Sequence, residues 1–364
     1  MPKTKKRKHL KISNTVSKIV LLFFLLSFGT VKNLNAQCPH TPKCPFDSCY
    51  YGGDGLSEAT AFQIWSKAHL EELADRVNNA TLQIWSQGKY FILMNNITDT
   101  VRTVIGNLER KFQGNFCGSN KIINLALTVN NAYVGLFGWI DTNGVVKNVE
   151  VNGNIYNEYF LYTVFPQKAG ITAMNIGKIS HCINRCSISI YSNSKTGDYA
   201  GGVVAINGNK GIVDSCLNSG NIEVFYHDVG GIAAQNYGTI SNSTNTGSVT
   251  AKECGAGGVA GYTYSGSFIL NCINTGAITA EAHVGGIAGG VYSAVVSNCS
   301  NYGFTKSNSF VGGISGLVTG GIINNNFNSG VVRGTSNVGC IVGKNNGGTL
   351  TNNHYDKQMC GEED

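Results

Sequence analysis

The sequence predicts an all-β fold, a parallel β-helix whose coils of about 27 residues each contribute three short strands, with one capping helix near the N-terminus. Three observations lead there. The second glycine of a Gly-Gly pair recurs at Gly202, Gly231, Gly258, Gly286 and Gly313, in steps of 29, 27, 28 and 27 residues, and Gly170 and Cys340 extend the series at either end. Aligned on that position, three ladders of mostly β-branched residues emerge. The first is Ile171, Val203, Ile232, Val259, Ile287, Ile314 and Ile341. The second is Ile179, Val213, Ile240, Ile269, Val296, Ile323 and Leu350. The third is Ile188, Ile222, Val249, Ile278, Thr305 and Val332. Between them lie Gly, Asn and Ser, the residues of turns. Composition agrees: 47 glycines in 364 residues and 13% charged residues, against about 7% glycine and about 25% charge in ordinary domains. One such coil cannot bury its apolar side alone. Stacked at about 4.8 Å, the coils join their ladders into one continuous core. A propeller blade needs about 40–50 residues, more than this period supplies.

Taken in chain order, residues 1–36 read as a signal peptide. They carry eight basic residues and no acidic one, and positions 19–28 form a mostly apolar run. That run is too short to span a bilayer. Cleavage is expected near Ala36. Without this segment 19 basic residues face 21 acidic ones, a net charge of −2. The basic balance of the whole chain is therefore an export signal and not a nucleic-acid footprint. Residues 37–60 form a cysteine-containing segment with Cys38, Cys44 and Cys49. Disulfides are permitted in an exported chain, and the odd number requires a partner elsewhere. Residues 61–134 hold the N-terminal cap and the first coils. Within "SKAHLEELADRVNN", Leu70, Leu73, Ala74 and Val77 fall at helical spacing behind Ser66, an N-cap residue, which predicts a helix over 67–78. Such a helix would cover an open sheet end. The repeats occupy 135–351, and the polar tail 352–364 is the candidate cover at the other end.

Two further ladders share the alignment. Asn184, Asn218, Asn245, Asn274, Asn301 and Asn328 recur once per coil. Stacked amides can bond one another along the axis, and Asn also tolerates the left-handed turn that redirects a chain. Two residues earlier come Cys182, Cys216, Ser243, Cys272, Cys299 and Asn326. In-register parallel stacking aims neighbouring Cβ atoms badly for a bridge, so these cysteines are expected to be buried thiols.

"VGLFGWI" followed by "GVVKNVEV" resembles the GLUG-motif repeat, "FQGNFCGSNKIINL" resembles the segment that usually precedes it, and "GGIAAQNYGTISNSTNTGSV" is similar to its typical coil. The resemblance spans roughly Gly53 to Met359. It implies a right-handed β-helix in a secreted or surface-exposed bacterial protein and says little about activity, because such repeats serve as adhesive or structural parts and also accompany unrelated catalytic domains. Cys117 and Cys340 depart from the family's pattern, standing where an acidic residue and a coil glycine are usual.

Enzymatic readings find little support in the residues. Asp198, Asp214, Glu223, Asp228, Glu253 and Glu281 do not share a coil phase, although Glu253 and Glu281 come close. A paired-carboxylate site needs two acids about 5–10 Å apart across a groove. No H-E-x-x-H is present, and "AHLEEL" carries His69 without a second histidine. "GGDG" at Gly52 to Gly55 resembles half of a calcium repeat but reads better as a turn. No catalytic residue, metal ligand or cofactor is assigned.

One surface feature remains. Tyr237, Tyr264 and Tyr292 each lie six residues after the reference glycine, in three consecutive coils, with Tyr262 close by. The row begins after Gly208 and ends at Thr319, so it is a patch and not a constitutive ladder. Exposed tyrosines suit sugar rings or a protein partner, and a self-packed stack shielding backbone is the alternative. The expected function is an exported adhesive or structural binding module for an extracellular glycan or protein, with no nucleic-acid partner. The alternatives are a polysaccharide-degrading enzyme or an accessory region of a larger surface protein.

Overall fold

A computed structural model describes residues 52–79, 85–128, 132–157, 166–190, 199–225, 228–253 and 255–360. The expected signal peptide and Cys38, Cys44 and Cys49 lie outside them. The chain forms a parallel β-solenoid of about ten coils. All three predicted ladders stack in register. In the second, Ile179 pairs with Val213, Val213 with Ile240, Ile240 with Ile269 and Ile269 with Val296. In the third, Ile188, Ile222, Val249, Ile278, Thr305 and Val332 pair in succession. The first lies between strands. There each N–H donates to the counterpart carbonyl one coil on, Ile232 to Val259 at 3.0 Å and Val259 to Ile287 at 2.9 Å. Nearly all these side chains are buried in one cluster. Upstream the second ladder continues as Phe62, Phe91, Phe116 and Val146, so the first coils are filled by larger rings than the later ones.

A coil holds five short strands, not three. The coil opening at Val229 has strands Val229–Gly230, Ala233–Asn236, Thr239–Ser241, Thr244–Asn245 and Val249–Ala251. Ala233–Asn236 belongs to a separate eight-stranded sheet, the other four to the large one. Ala233–Asn236 lacks the β-branched composition that marks a strand in sequence, and Thr244–Asn245 is only two residues long.

The asparagine ladder is an unbroken amide stack. Nδ2 of Asn184 donates to Oδ1 of Asn218 at 2.7 Å, Asn218 to Asn245 at 2.7 Å, and Asn245, Asn274 and Asn301 each to the next at 2.8 Å. All six are fully buried. The second amide hydrogen of each donates to the carbonyl two residues on, as from Asn245 to Gly247 at 2.9 Å. The left-handed turn expected of these asparagines falls elsewhere. It sits three residues earlier, at His181, Ser215, Asn242, Asn271, Asn298 and Asn325, while the ladder residues are extended. The stack also explains the repeat glycine. A Cβ at Gly231 would stand 2.2 Å from the Gly258 carbonyl oxygen and 2.3 Å from Asn245 Cγ, so only hydrogen fits there.

Cys182, Cys216, Cys272 and Cys299 are buried, unbridged thiols, as the stacking geometry requires. Each donates to the carbonyl two residues back, Cys272 to Leu270 at 3.2 Å, and Ser243 does the same to Ser241 at 2.8 Å. Cys117 is disulfide-bonded, and its partner lies outside the described residues.

The helix spans Lys67–Asn78 behind Ser66, and Leu70, Leu73, Ala74 and Val77 are its buried residues. They join the core cluster of the first coils. Asn78 ties the helix end to a coil, donating to the Val104 carbonyl at 2.9 Å and accepting from Gly106 N–H at 2.8 Å. At the opposite end a 3-10 turn, Gln358–Cys360, places buried Cys360 over the amide stack. The Nδ2 of Asn328 meets its Sγ at 3.7 Å.

Candidate functional site

The tyrosine row lies on the outer surface where the eight-stranded sheet ends. Tyr237 follows strand Ala233–Asn236, Tyr264 follows Ala260–Thr263, and Tyr292 closes Ala288–Tyr292. In-register stacking of these strands sets the rings coil upon coil. Tyr237 and Tyr264 have centroids 4.5 Å apart and planes 7° apart; Tyr264 and Tyr292 are 5.8 Å and 14° apart. The faces therefore point along the solenoid axis, toward each other. The row does not lie flat as a platform; it presents ring edges to solvent. Tyr237, at the end of the stack, is 37% exposed.

Tyr262 takes a different place from the one expected of a surface row. It is 8% exposed and leans inward. Its ring occupies the space over two side-chain-free positions: a Cβ on Gly255 or Gly290 would stand 2.4 Å from it. It lies 5.8 Å from Tyr292, and its hydroxyl shares a 2.9 Å hydrogen bond with His283 Nδ1. Burial lowers the His283 pKa, which favours neutral imidazole. His283 and Phe310, 5.0 Å apart, both adopt left-handed backbone. That conformation is uncommon for a ring as large as Phe310.

Beneath the row lies a polar support that the sequence reading did not assign to it. Gln235 Nε2 donates to the buried Asp228 carboxylate at 2.6 Å and reaches the Tyr264 hydroxyl at 3.4 Å. Its Oε1 accepts from the Tyr237 hydroxyl at 3.2 Å. Burial, reinforced by Asp228, raises the pKa values of Tyr199, Tyr264 and Tyr292. Tyr237 is raised by burial and by Asp228, against a lowering bond with Tyr264. Gln235 and Tyr262 share one register, a match readable at four residues past the reference glycine. Asp228 is level with Tyr199, one coil back, and Gly255, one coil on. So mixed a column gives no ladder signal.

Glu253 and Glu281 are exposed. His69 Nδ1 accepts from Trp65 N–H at 3.2 Å, a local helix-start contact. Gly52, Gly53 and Gly55 all adopt positive φ around Asp54, whose carboxylate accepts from Leu56 N–H, so the segment is a turn. Among the described residues no three His, Cys, Asp or Glu side chains are grouped to hold a metal ion.

The family model of the GLUG motif matches residues 226–250. The chain carries a GLUG motif. The GLUG coil is the one that supplies Asp228, Gln235 and Tyr237 to the aromatic cluster and Asn245 to the amide stack. No curated protein matches the chain. A crystal structure from Bacteroides ovatus, described as a "putative immunoglobulin A1 protease", superposes on the solenoid with a TM-score of 0.56. The superposition covers 84% of this chain and 87% of that one at 16% sequence identity. The likeness is one of fold.

Proposed function

We propose that this protein is an exported binding module, a rigid solenoid outside the cell whose ligand, a glycan or protein, docks on the aromatic cluster. The observation that carries the reading is the stack of Tyr237, Tyr264 and Tyr292 on one face, with Tyr237 exposed at its end. Solenoids use such extended faces for recognition, and tyrosine supplies contact area with a polar tip. The buried support of Gln235 and Asp228 fixes the hydroxyls in place, which lowers the entropic cost of binding.

The test uses purified chain lacking residues 1–36 on an array of glycans and extracellular-matrix proteins. Replacing Tyr237, Tyr264 and Tyr292 together by Ala is expected to abolish binding and leave the far-ultraviolet circular dichroism β-rich. Binding unchanged by the triple replacement, or no binding across the array, overturns the reading. A peptidase is the second reading, favoured by the name of the Bacteroides ovatus protein with the same fold. Incubation with immunoglobulin A1 decides it, since fragments released by the purified chain would replace binding with cleavage.

A further inference from the structure

The tyrosine stack has two outer faces, one on Tyr292, level with Thr319, and one on the exposed Tyr237. Each ring has two faces. One face of Tyr237 is covered by Tyr264 at 4.5 Å. The opposite face points one coil back, where the Tyr237 N–H bonds the Asn207 carbonyl and the level position is Gly208. Gly208 has no side chain to cover a ring, and the nearest group to a Cβ built there is a methyl of Ile176, at 2.6 Å. Among the described residues no ring stacks on that face, and Tyr237 is 37% exposed above a glycine floor. Half-buried Tyr199 and Ile206 stand on the same coil as that floor. Gln235, which holds the Tyr237 hydroxyl, and Asp228, which holds Gln235, lie beside it.

Resting on the binding reading above, we infer that the face of Tyr237 over Gly208 is a subsite for one sugar ring of a neutral glycan, which stacks its C–H face on the phenol. The dimensions favour a single ring, because Tyr264 spends both faces on its neighbours, Tyr292 has Thr319 level with it on its outer side, and Tyr237 alone of the three is exposed. The chemistry favours a sugar over an apolar group, since the Tyr237 hydroxyl and the Gln235 amide oxygen that accepts from it stand at the rim of the ring. Charge favours a neutral sugar. Lys210 is exposed on the neighbouring turn, where solvent screens it, and the buried Lys168 lies two coils back from the coil of Asp228. Asp228 is buried, where its field is screened least.

The experiment is ligand-observed saturation-transfer NMR on the chain lacking residues 1–36. The probes are cellohexaose, mannohexaose, xylohexaose and chitohexaose, with hexagalacturonate as the acidic comparison. At least one neutral probe is expected to bind at least tenfold more tightly than hexagalacturonate, with saturation strongest on the C–H face protons of one ring. Tyr237→Ala is expected to weaken that binding at least tenfold, and Tyr237→Phe less than threefold. Gly208→Tyr is the sharper variant, because it leaves Tyr237 in place and covers its face. It is expected to weaken binding at least tenfold. Should the Ile176 contact disturb folding, Ile176→Ala/Gly208→Tyr removes it and carries the same expectation. Tyr292→Ala, at the far end, should change affinity less than threefold.

Undiminished binding by folded Gly208→Tyr overturns the subsite, as does equal affinity for hexagalacturonate or the failure of every neutral probe. If the array ligand is lost in the triple tyrosine variant yet retained by Gly208→Tyr, the row binds through its edges. The binding reading then survives and the subsite falls. If both variants keep the array ligand, both fall.

Discussion

Asn245 Nδ2 donates to Asn274 Oδ1 at 2.8 Å, and Asn245 Oδ1 accepts from Asn218 Nδ2 at 2.7 Å. Each amide is therefore both donor and acceptor to its neighbours, fully buried from solvent. Buried amides left without a partner cost roughly 1–3 kcal/mol each. Asn245→Ala strips a partner from both neighbours and should destabilise the fold by roughly 3 kcal/mol. Asn328→Ala, whose outward neighbour is only the Cys360 sulfur at 3.7 Å, should cost about half as much. Urea denaturation of the two variants checks the order. Equal losses would mean that the stack is not cooperative.

The glycines divide into two kinds. Gly231→Ala would drive a methyl into the Gly258 carbonyl and Asn245. Overpacking against backbone costs about 1–3 kcal/mol or more. Gly266 has φ +78 and nothing within 4 Å of a Cβ, so Gly266→Ala pays only for its backbone conformation, about 1 kcal/mol. Thermal midpoints should fall much further for the first variant than for the second.

Burial pushes the Cys186 thiol up to about 12, from an ordinary 9.0. The folded state holds the thiol protonated, whereas the unfolded chain releases its proton near pH 9. This stabilisation is complete below pH 9 and lost as pH rises from 9 to 12. Denaturation midpoints of the wild type should fall through that window. Cys186→Ala should fall less steeply, whatever its stability at pH 7. Parallel slopes would contradict the assignment.

Asp228 acts on the tyrosines through its charge as well as through Gln235. Asp228→Asn removes the negative charge that helps burial to raise Tyr199, Tyr237, Tyr264 and Tyr292. Their phenols should then ionise at lower pH, though still above the usual 10 because burial remains. Absorbance near 295 nm against pH reads the shift. An unchanged curve would place the carboxylate too far away to matter.

Much of the architecture was legible because identical environments stack. Ile232, Ile240 and Val249 recur in every coil for one reason, and aligning any two coils reveals it. The same alignment exposed Asn245. It misassigned the left-handed corner to Asn245 because Asn242, three residues earlier, gives an equally regular asparagine signal at Asn271, Asn298 and Asn325. The strand Ala233–Asn236 stayed hidden because Ala, Gln and Asn carry no β-branched mark. The tyrosine row was visible as spacing, but spacing does not say which way a ring turns. Both χ1 choices common in strands were open, and the structure turned the faces toward each other. Asp228 was beyond reach, since its column reads Tyr199, Asp228, Gly255 and His283, with no shared chemistry to align.

The amide stack has a consequence for how such a chain can change over generations. Each coil between Asn184 and Asn328 offers the same donor to one neighbour and the same acceptor to the other, so the stack does not distinguish which copy it joins. Loss or duplication of a whole coil within that stretch leaves those contacts intact. The aromatic cluster has no such indifference, because Gly208, Asp228, Gln235, Tyr237, Gly255 and Tyr262 must arrive in one fixed order. Coil number is thus free to drift among descendants of this gene, whereas the succession from Gly208 to Tyr292 is inherited whole or lost.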